Sequence, residues 1–133
     1  MKRLLSVMVG IMILSVSILA HAAADDRKLT CALTKAYACA SDEGCAAVAL
    51  LDMNLPRFIG IDFGTKVITS LDKSVTREET RFATVDKTNG LTVLHGVEKR
   101  GWSLAIGDQS GELTISASGD GESFTVFGAC IMP

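Results

Sequence analysis

Residues 86–97, Asp-Lys-Thr-Asn-Gly-Leu-Thr-Val-Leu-His-Gly-Val, hold the strongest fold signal in the chain. Asn89-Gly90 is a pair that tolerates positive φ, as a tight hairpin turn requires. In the run that follows, Leu91, Val93, His95 and Val97 share one face of a strand, because side chains on a strand alternate sides. That parity predicts a core or rim position for His95, with its ring hydrogen-bonded.

The same alternation extends in both directions. Toward the C-terminus, Glu98-Lys99-Arg100-Gly101 makes a charged turn into residues 102–106, where Trp102, Leu104 and Ile106 alternate with Ser103 and Ala105. Residues 107–111 turn again, Leu113, Ile115 and Ala117 mark the next strand, and Ser118-Gly119-Asp120-Gly121 leads into the last, residues 123–131. Toward the N-terminus, residues 81–86 form a strand, and residues 57–63 and 66–71 flank a turn at Gly64-Thr65. The charged stretch 72–80 between them has room for a helical turn. Residues 29–35 and 37–40 add strand, while residues 45–51 are apolar without alternation, as in a strand buried on both faces or a wall of small residues. No helix-period segment competes.

About eight short strands result, and an open sheet of that width leaves a broad apolar face and two bare edges in water. Closure removes both. The expected fold class is all-β: a small antiparallel β-barrel of meander topology, or a two-sheet sandwich, closed by disulfides, with the barrel preferred.

The first residues read as an export signal. Met1, Lys2 and Arg3 are a positive start, residues 4–20 are apolar or small, and Ala20-His21-Ala22 supplies a small-x-small cleavage site. Cleavage after Ala22 is preferred, with Ala22-Ala23-Ala24 a second site that places the cut after Ala24. Residues 1–22 are thus a signal peptide, residues 23–28 a polar stretch expected to trail, and residues 29–133 a single disulfide-bonded β domain. A periplasmic or secreted protein without a stable membrane anchor is expected, since Cys31 follows Lys28-Leu29-Thr30 and not the small-residue box of a lipoprotein.

Export gives the four cysteines their meaning. An even count in a small exported chain reads as two disulfides, with three possible pairings. Cys39 and Cys45 flank the turn-forming Ser41-Asp42-Glu43-Gly44, so a local staple is sterically reasonable, which leaves Cys31 with Cys130. Their spacing does not match the paired C-x2-C knuckles of zinc sites, so no metal is expected.

Charge and motifs exclude more than they assign. Losing Lys2 and Arg3 with the signal takes the formal net charge from −2 to −4, which removes the electrostatic basis for nucleic-acid binding. Asp62-Phe63-Gly64 copies a kinase triplet without a kinase's other parts, and Asp120-Gly121-Glu122 lacks the alternating acids of a calcium loop. No nucleophile motif accompanies His95, the sole histidine after the signal. No catalytic residue and no cofactor are expected. The candidate binding surface is Trp102, whose indole joins apolar area to a donor, with Lys99 and Arg100 on the neighbouring turn and His95.

Leu29-Thr30-Cys31, Ala36-Tyr37-Ala38-Cys39, Asp42-Glu43-Gly44-Cys45 and Phe127-Gly128-Ala129-Cys130 together resemble a group of small exported bacterial cysteine-containing proteins of unassigned function. That group carries a further close cysteine pair midway, which this chain lacks. The expected architecture is also similar, more weakly, to the periplasmic inhibitors of C-type lysozyme, whose Ser-Gly-Tyr-type and Trp-x-x-Lys-Gly signatures are missing here. The expected function is a non-catalytic binding or accessory module for a protein or small-molecule ligand. An inhibitor of a cationic cell-wall hydrolase comes second, favoured by the acidic net charge. An enzyme using His95 comes third.

Overall fold

The computed structural model describes residues 25–76, 79–98 and 100–131. The expected signal peptide, both cleavage sites and Lys99 lie outside the described residues. Within them the protein is all-β, a single curled antiparallel sheet shaped as a half-barrel. Its strands are β1 (Lys28–Ala40), β2 (Gly44–Val48), β3 (Phe58–Asp62), β4 (Val67–Ser70), β5 (Glu79–Arg81), β6 (Thr84–Thr88), β7 (Leu91–Gly96), β8 (Gly101–Gly107), β9 (Glu112–Gly119) and β10 (Glu122–Ile131). A single 3-10 turn, Leu51–Met53, follows β2.

The strand order is β5-β4-β3-β1-β10-β9-β8-β7-β6, with β2 added beside the second half of β1. Two meanders, β3 to β5 and β6 to β10, therefore meet on β1, which replaces the single meander expected. The tight turns fall where the sequence places them. Thr88 pairs with Leu91 across Asn89 (φ 50°) and Gly90 (φ 78°), both left-handed as the right-handed strand twist demands. Gly119 pairs with Glu122 across Asp120 and Gly121 in the same way.

Among the described residues ten strands stand where about eight were expected, for two reasons. The strand predicted over residues 81–86 breaks at Phe82-Ala83: the Phe82 N–H donates to the Lys66 carbonyl at 3.1 Å, and the Ala83 N–H to the His95 carbonyl at 2.7 Å. The chain thereby passes from one edge of the sheet to the other. The second reason is β2. Its Gly44, Cys45, Ala46 and Ala47 are exposed, which corrects the expectation of a strand buried on both faces. β2 borders β1 only beyond the bulge at Leu33/Lys35, and its small side chains carry too little apolar area to require cover. Residues 72–76 form bends, not a helical turn.

Both disulfides match the predicted pairing. Cys31 and Cys130 are direct cross-strand partners on β1 and β10, their Cα atoms 3.9 Å apart, so this bridge lies inside the sheet instead of sealing a seam. Cys39 and Cys45 are likewise partners across the β1–β2 hairpin. Two disulfides in a small domain are consistent with an oxidising, exported location.

Cross-strand partners point to the same side of a sheet, and this settles which faces are buried. Leu104 and Ile106 are buried, and they stand opposite Leu94 and Thr92 on β7, so those residues turn inward as well. The odd face of β7, with Leu91, Val93 and His95, faces out, as does Val97 just beyond the strand, which corrects the predicted core or rim position of His95. The buried Thr92 hydroxyl donates to an Asp108 carboxylate oxygen at 2.6 Å and is thus satisfied. One end of the interior is filled by Leu29, Ile61, Phe63, Phe82, Ile106 and Leu113. Residues 25–27, expected to trail, reach this end: the Arg27 guanidinium lies 4.7 Å from the Phe63 ring centroid, and the Phe63 N–H donates to the Arg27 carbonyl.

Three carboxylates fasten loops and have pKa values below the ordinary 3.8. A hydrogen bond from Arg27 lowers Asp25, the Thr65 N–H and then Lys28 lower Asp62, and the Ser74 hydroxyl and then the Arg57 N–H lower Asp72. A depressed carboxylate stabilises the fold above its unfolded value, and this contribution is lost as pH falls through the folded value. The thermal midpoint should accordingly hold steady from neutrality to about pH 5 and fall below about pH 4. Asp72→Asn should flatten that acid limb. An unchanged limb would assign the acid loss to other groups.

Candidate functional site

The end of the half-barrel opposite Phe63 and Phe82 is open. Across five neighbouring strands the inward row there reads Gly96, Trp102, Ala117, Phe124 and Ala38, each residue directly opposite the next. Two aromatic rings thus alternate with residues that have little or no side chain. Side chains of this size cannot fill the width of a curled sheet. A cleft of about 440 Å³ is left, open at its mouth.

Its floor is apolar, formed by Leu33, Ile59, Leu104, Ile115 and Val126. Trp102 and Phe124 stand half-buried above it on inward positions either side of Ala117, and Ile68 closes the β4 side. Met53, the last residue of the 3-10 turn, and Leu55 and Pro56 from the loop after it form one wall. That loop is tied down from outside: the Thr76 N–H donates to the Asn54 amide oxygen at 3.0 Å, and the Asn54 amide nitrogen donates to the Thr76 hydroxyl at 2.9 Å.

Charge is confined to the rim. Asp52, Glu79 and Glu98 are exposed there, each from a different segment, and Arg100 stands at the same rim half-buried. Arg100 is the most constrained of these groups. Its Nη2 donates to Glu122 Oε2 at 2.8 Å, and its guanidinium carbon stands 4.8 Å from the Phe124 ring centroid. Nη1 is buried and has no hydrogen-bond partner among the described residues.

Of the four residues predicted as a binding surface, the structure brings Trp102 and Arg100 together at the cleft. His95 stands on the outer face, 48% exposed, with Nε2 3.4 Å from Asp86 Oδ2, and does not line the cleft. Lys99 lies outside the described residues. Phe124 was missed, although its signal exists at the level of register: it becomes visible once Trp102 and Phe124 are both recognised as partners of Ala117.

Gly96 is what seats the tryptophan. A Cβ at this position would fall on the six-membered ring and Nε1 of Trp102, so only glycine lets the indole lie flat against β7. Gly96→Ala should push the ring toward the mouth, seen as a red shift of the emission of the chain's single tryptophan. An unshifted spectrum would mean that the ring is not held this way. Compared with protein-family models, curated proteins and solved structures, the chain matches none of them.

Proposed function

We propose that the chain is an exported, non-catalytic binding module whose half-barrel cleft takes an apolar ligand. The observation that carries this reading is the cleft itself: about 440 Å³, floored by aliphatic side chains and flanked by Trp102 and Phe124. Binding sites for small molecules have this size range and this lining, apolar with a few polar groups at the edge. The position of His95 beside Asp86 on the outer face supports a binding role over an acid-base one, because a base must stand within reach of a bound substrate. We also read the sheet as a barrel closed through residues 79–88, on the strength of the Phe82 and Ala83 amides that reach opposite edges. Slow hydrogen exchange at those two amides is the expected sign of closure.

The test uses a neutral apolar fluorophore, N-phenyl-1-naphthylamine, titrated into the oxidised protein. Saturable enhancement is expected, with the affinity falling about tenfold or more in Ala117→Leu, because the isobutyl side chain that replaces the methyl occupies the space between Trp102 and Phe124. Enhancement that never saturates, or that is untouched by Ala117→Leu, would overturn the reading.

A further inference from the structure

We propose that the cleft takes acyl compounds: an apolar chain lies on the aliphatic floor, and a carbonyl oxygen at its end accepts a hydrogen bond from Arg100 Nη1. This rests on the binding reading above and adds the chemical class of the ligand, with the residue that selects it. The observation that carries it is an exception to the pairing of buried polar groups. Among the described residues that are not exposed, Nη1 is the one buried side-chain nitrogen or oxygen without a hydrogen-bond partner, and its residue lines the cleft. The large majority of such atoms are paired, so a lone donor at the edge of a cavity marks a place for an acceptor that arrives with the ligand.

A short route across the sheet puts this nitrogen at the mouth. Arg100 directly precedes β8, and its stem runs past Gly119 on β9, where an added Cβ would stand 3.8 Å from Arg100 Cγ. Its guanidinium carbon ends 4.8 Å from the centroid of the Phe124 ring, which flanks the cleft. Glu122 takes Nη2 at 2.8 Å, so one side of the guanidinium fork is occupied and the donors of the other side are unused. The Ser70 hydroxyl, also at the cleft, is no rival donor, since it already donates to the Asp72 carbonyl at 2.7 Å. Bulk water does not reach Nη1, so an acceptor oxygen delivered there displaces no competing hydrogen bond and satisfies a charged donor where the local dielectric is low. The stem ends at an open rim, so a small rotation about its last bonds turns Nη1 to the ligand, and the half-exposed Glu122 can follow. An alkylammonium head carries no acceptor and would leave Nη1 as it is.

The experiment measures displacement of N-phenyl-1-naphthylamine by three ligands that share an octyl chain and a planar trigonal head: decan-2-one, nonanoate and 2-methyldec-1-ene. The last has a methylene group where the ketone has its oxygen. Each is titrated into the parent, Arg100→Met and Arg100→Lys. Met keeps an unbranched stem without donors, and Lys keeps the charge on a single nitrogen. Each ligand is compared with itself across the variants, which removes the differences in hydrophobicity among the three. The hydrocarbon should bind all three proteins within about twofold, which shows the cleft intact in each. The ketone and nonanoate should lose about tenfold in Arg100→Met, as for one charge-assisted hydrogen bond, and most of that in Arg100→Lys. A loss shared by both supports carbonyl compounds in general, and a loss confined to one of them narrows the class to neutral or to acidic heads. Equal losses for all three ligands, no loss for any, or a nonanoate loss that Arg100→Lys restores overturns the assignment while the cleft reading stands. If none of the three displaces the fluorophore, the cleft reading itself fails.

Discussion

Cys130→Ser is expected to lower the unfolding midpoint far more than Cys39→Ser. The Cys31–Cys130 bridge closes a sequence separation of 99 residues, against 6 for Cys39–Cys45. By loop-closure entropy the long bridge is worth about 4.7 kcal/mol and the short one about 2. Burial widens the gap. Cys31 and Cys130 are 1% and 9% exposed, so breaking this bridge leaves polar groups without partners between β1 and β10, at a further cost of about 1–3 kcal/mol. Cys45 on the exposed β2 has water to turn to. For a domain of this size the difference amounts to a midpoint lower by about 10 °C or more, measurable by calorimetry under non-reducing conditions. Cys31→Ala with Cys130→Ala removes the polar contribution and should recover part of the loss. Equal midpoints for Cys130→Ser and Cys39→Ser would mean that the long bridge constrains nothing the sheet does not already hold.

The fold was legible wherever local chemistry decides it. Asn89-Gly90 and Asp120-Gly121 can take left-handed φ at low cost, so the turns they make follow from two residues each. Which face of β7 is buried does not follow from β7. Counted alone, Leu91, Val93 and Val97 outvote Leu94, yet the neighbouring β8 sets the answer through the pairs Leu94 with Leu104 and Thr92 with Ile106. Register is a property of two strands, and an error of one residue exchanges every inward side chain for an outward one. The same limit applies to β1. Its place between β3 and β10 depends on pairings across most of the chain, which periodicity within one segment does not encode.

The candidate site was legible in part for the same reason. Trp102 and Arg100 attract notice as a lone indole and a charged turn, and both reach the cleft. Phe124 and Ala117 acquire their role only through the inward row that β8, β9 and β10 form together. Asp52, Glu79 and Glu98 are ordinary surface acids in the sequence, and curvature of the sheet is what gathers them around one mouth. His95 shows the opposite failure: a chemically suggestive side chain whose strand happens to present it to solvent beside Asp86.

Gly128→Ala is the second substitution with a large expected effect, and it tests how the bulge in β1 is held. Gly128 shares the inward face of β10 with Val126 and Cys130 and stands opposite Leu33, where the β1 register shifts between Leu33 and Lys35. A Cβ here would fall on the Ala32 carbonyl oxygen, with the Ala32 carbonyl carbon at 3.1 Å and the Leu33 Cα at 3.2 Å. All of these are backbone atoms, so no rotamer change relieves the contact. The strands cannot simply part, because Cys31 and Cys130 bind them covalently within two residues. Forcing an extra carbon into such a site costs about 3 kcal/mol, at the upper end for overpacking. Two other glycines calibrate the result. At Gly101 an added Cβ meets nothing within 4 Å, so Gly101→Ala should stay within about 0.5 kcal/mol of the parent. At Gly96 the obstacle is the Trp102 side chain, which can swing toward the open mouth, so Gly96→Ala should cost about 1–2 kcal/mol and move the fluorescence instead. The order expected from chemical denaturation is therefore Gly128 above Gly96 above Gly101. A Gly128→Ala variant as stable as Gly101→Ala would show that the bulge is loose enough to yield, and that the long disulfide does not fix β1 against β10 at this point.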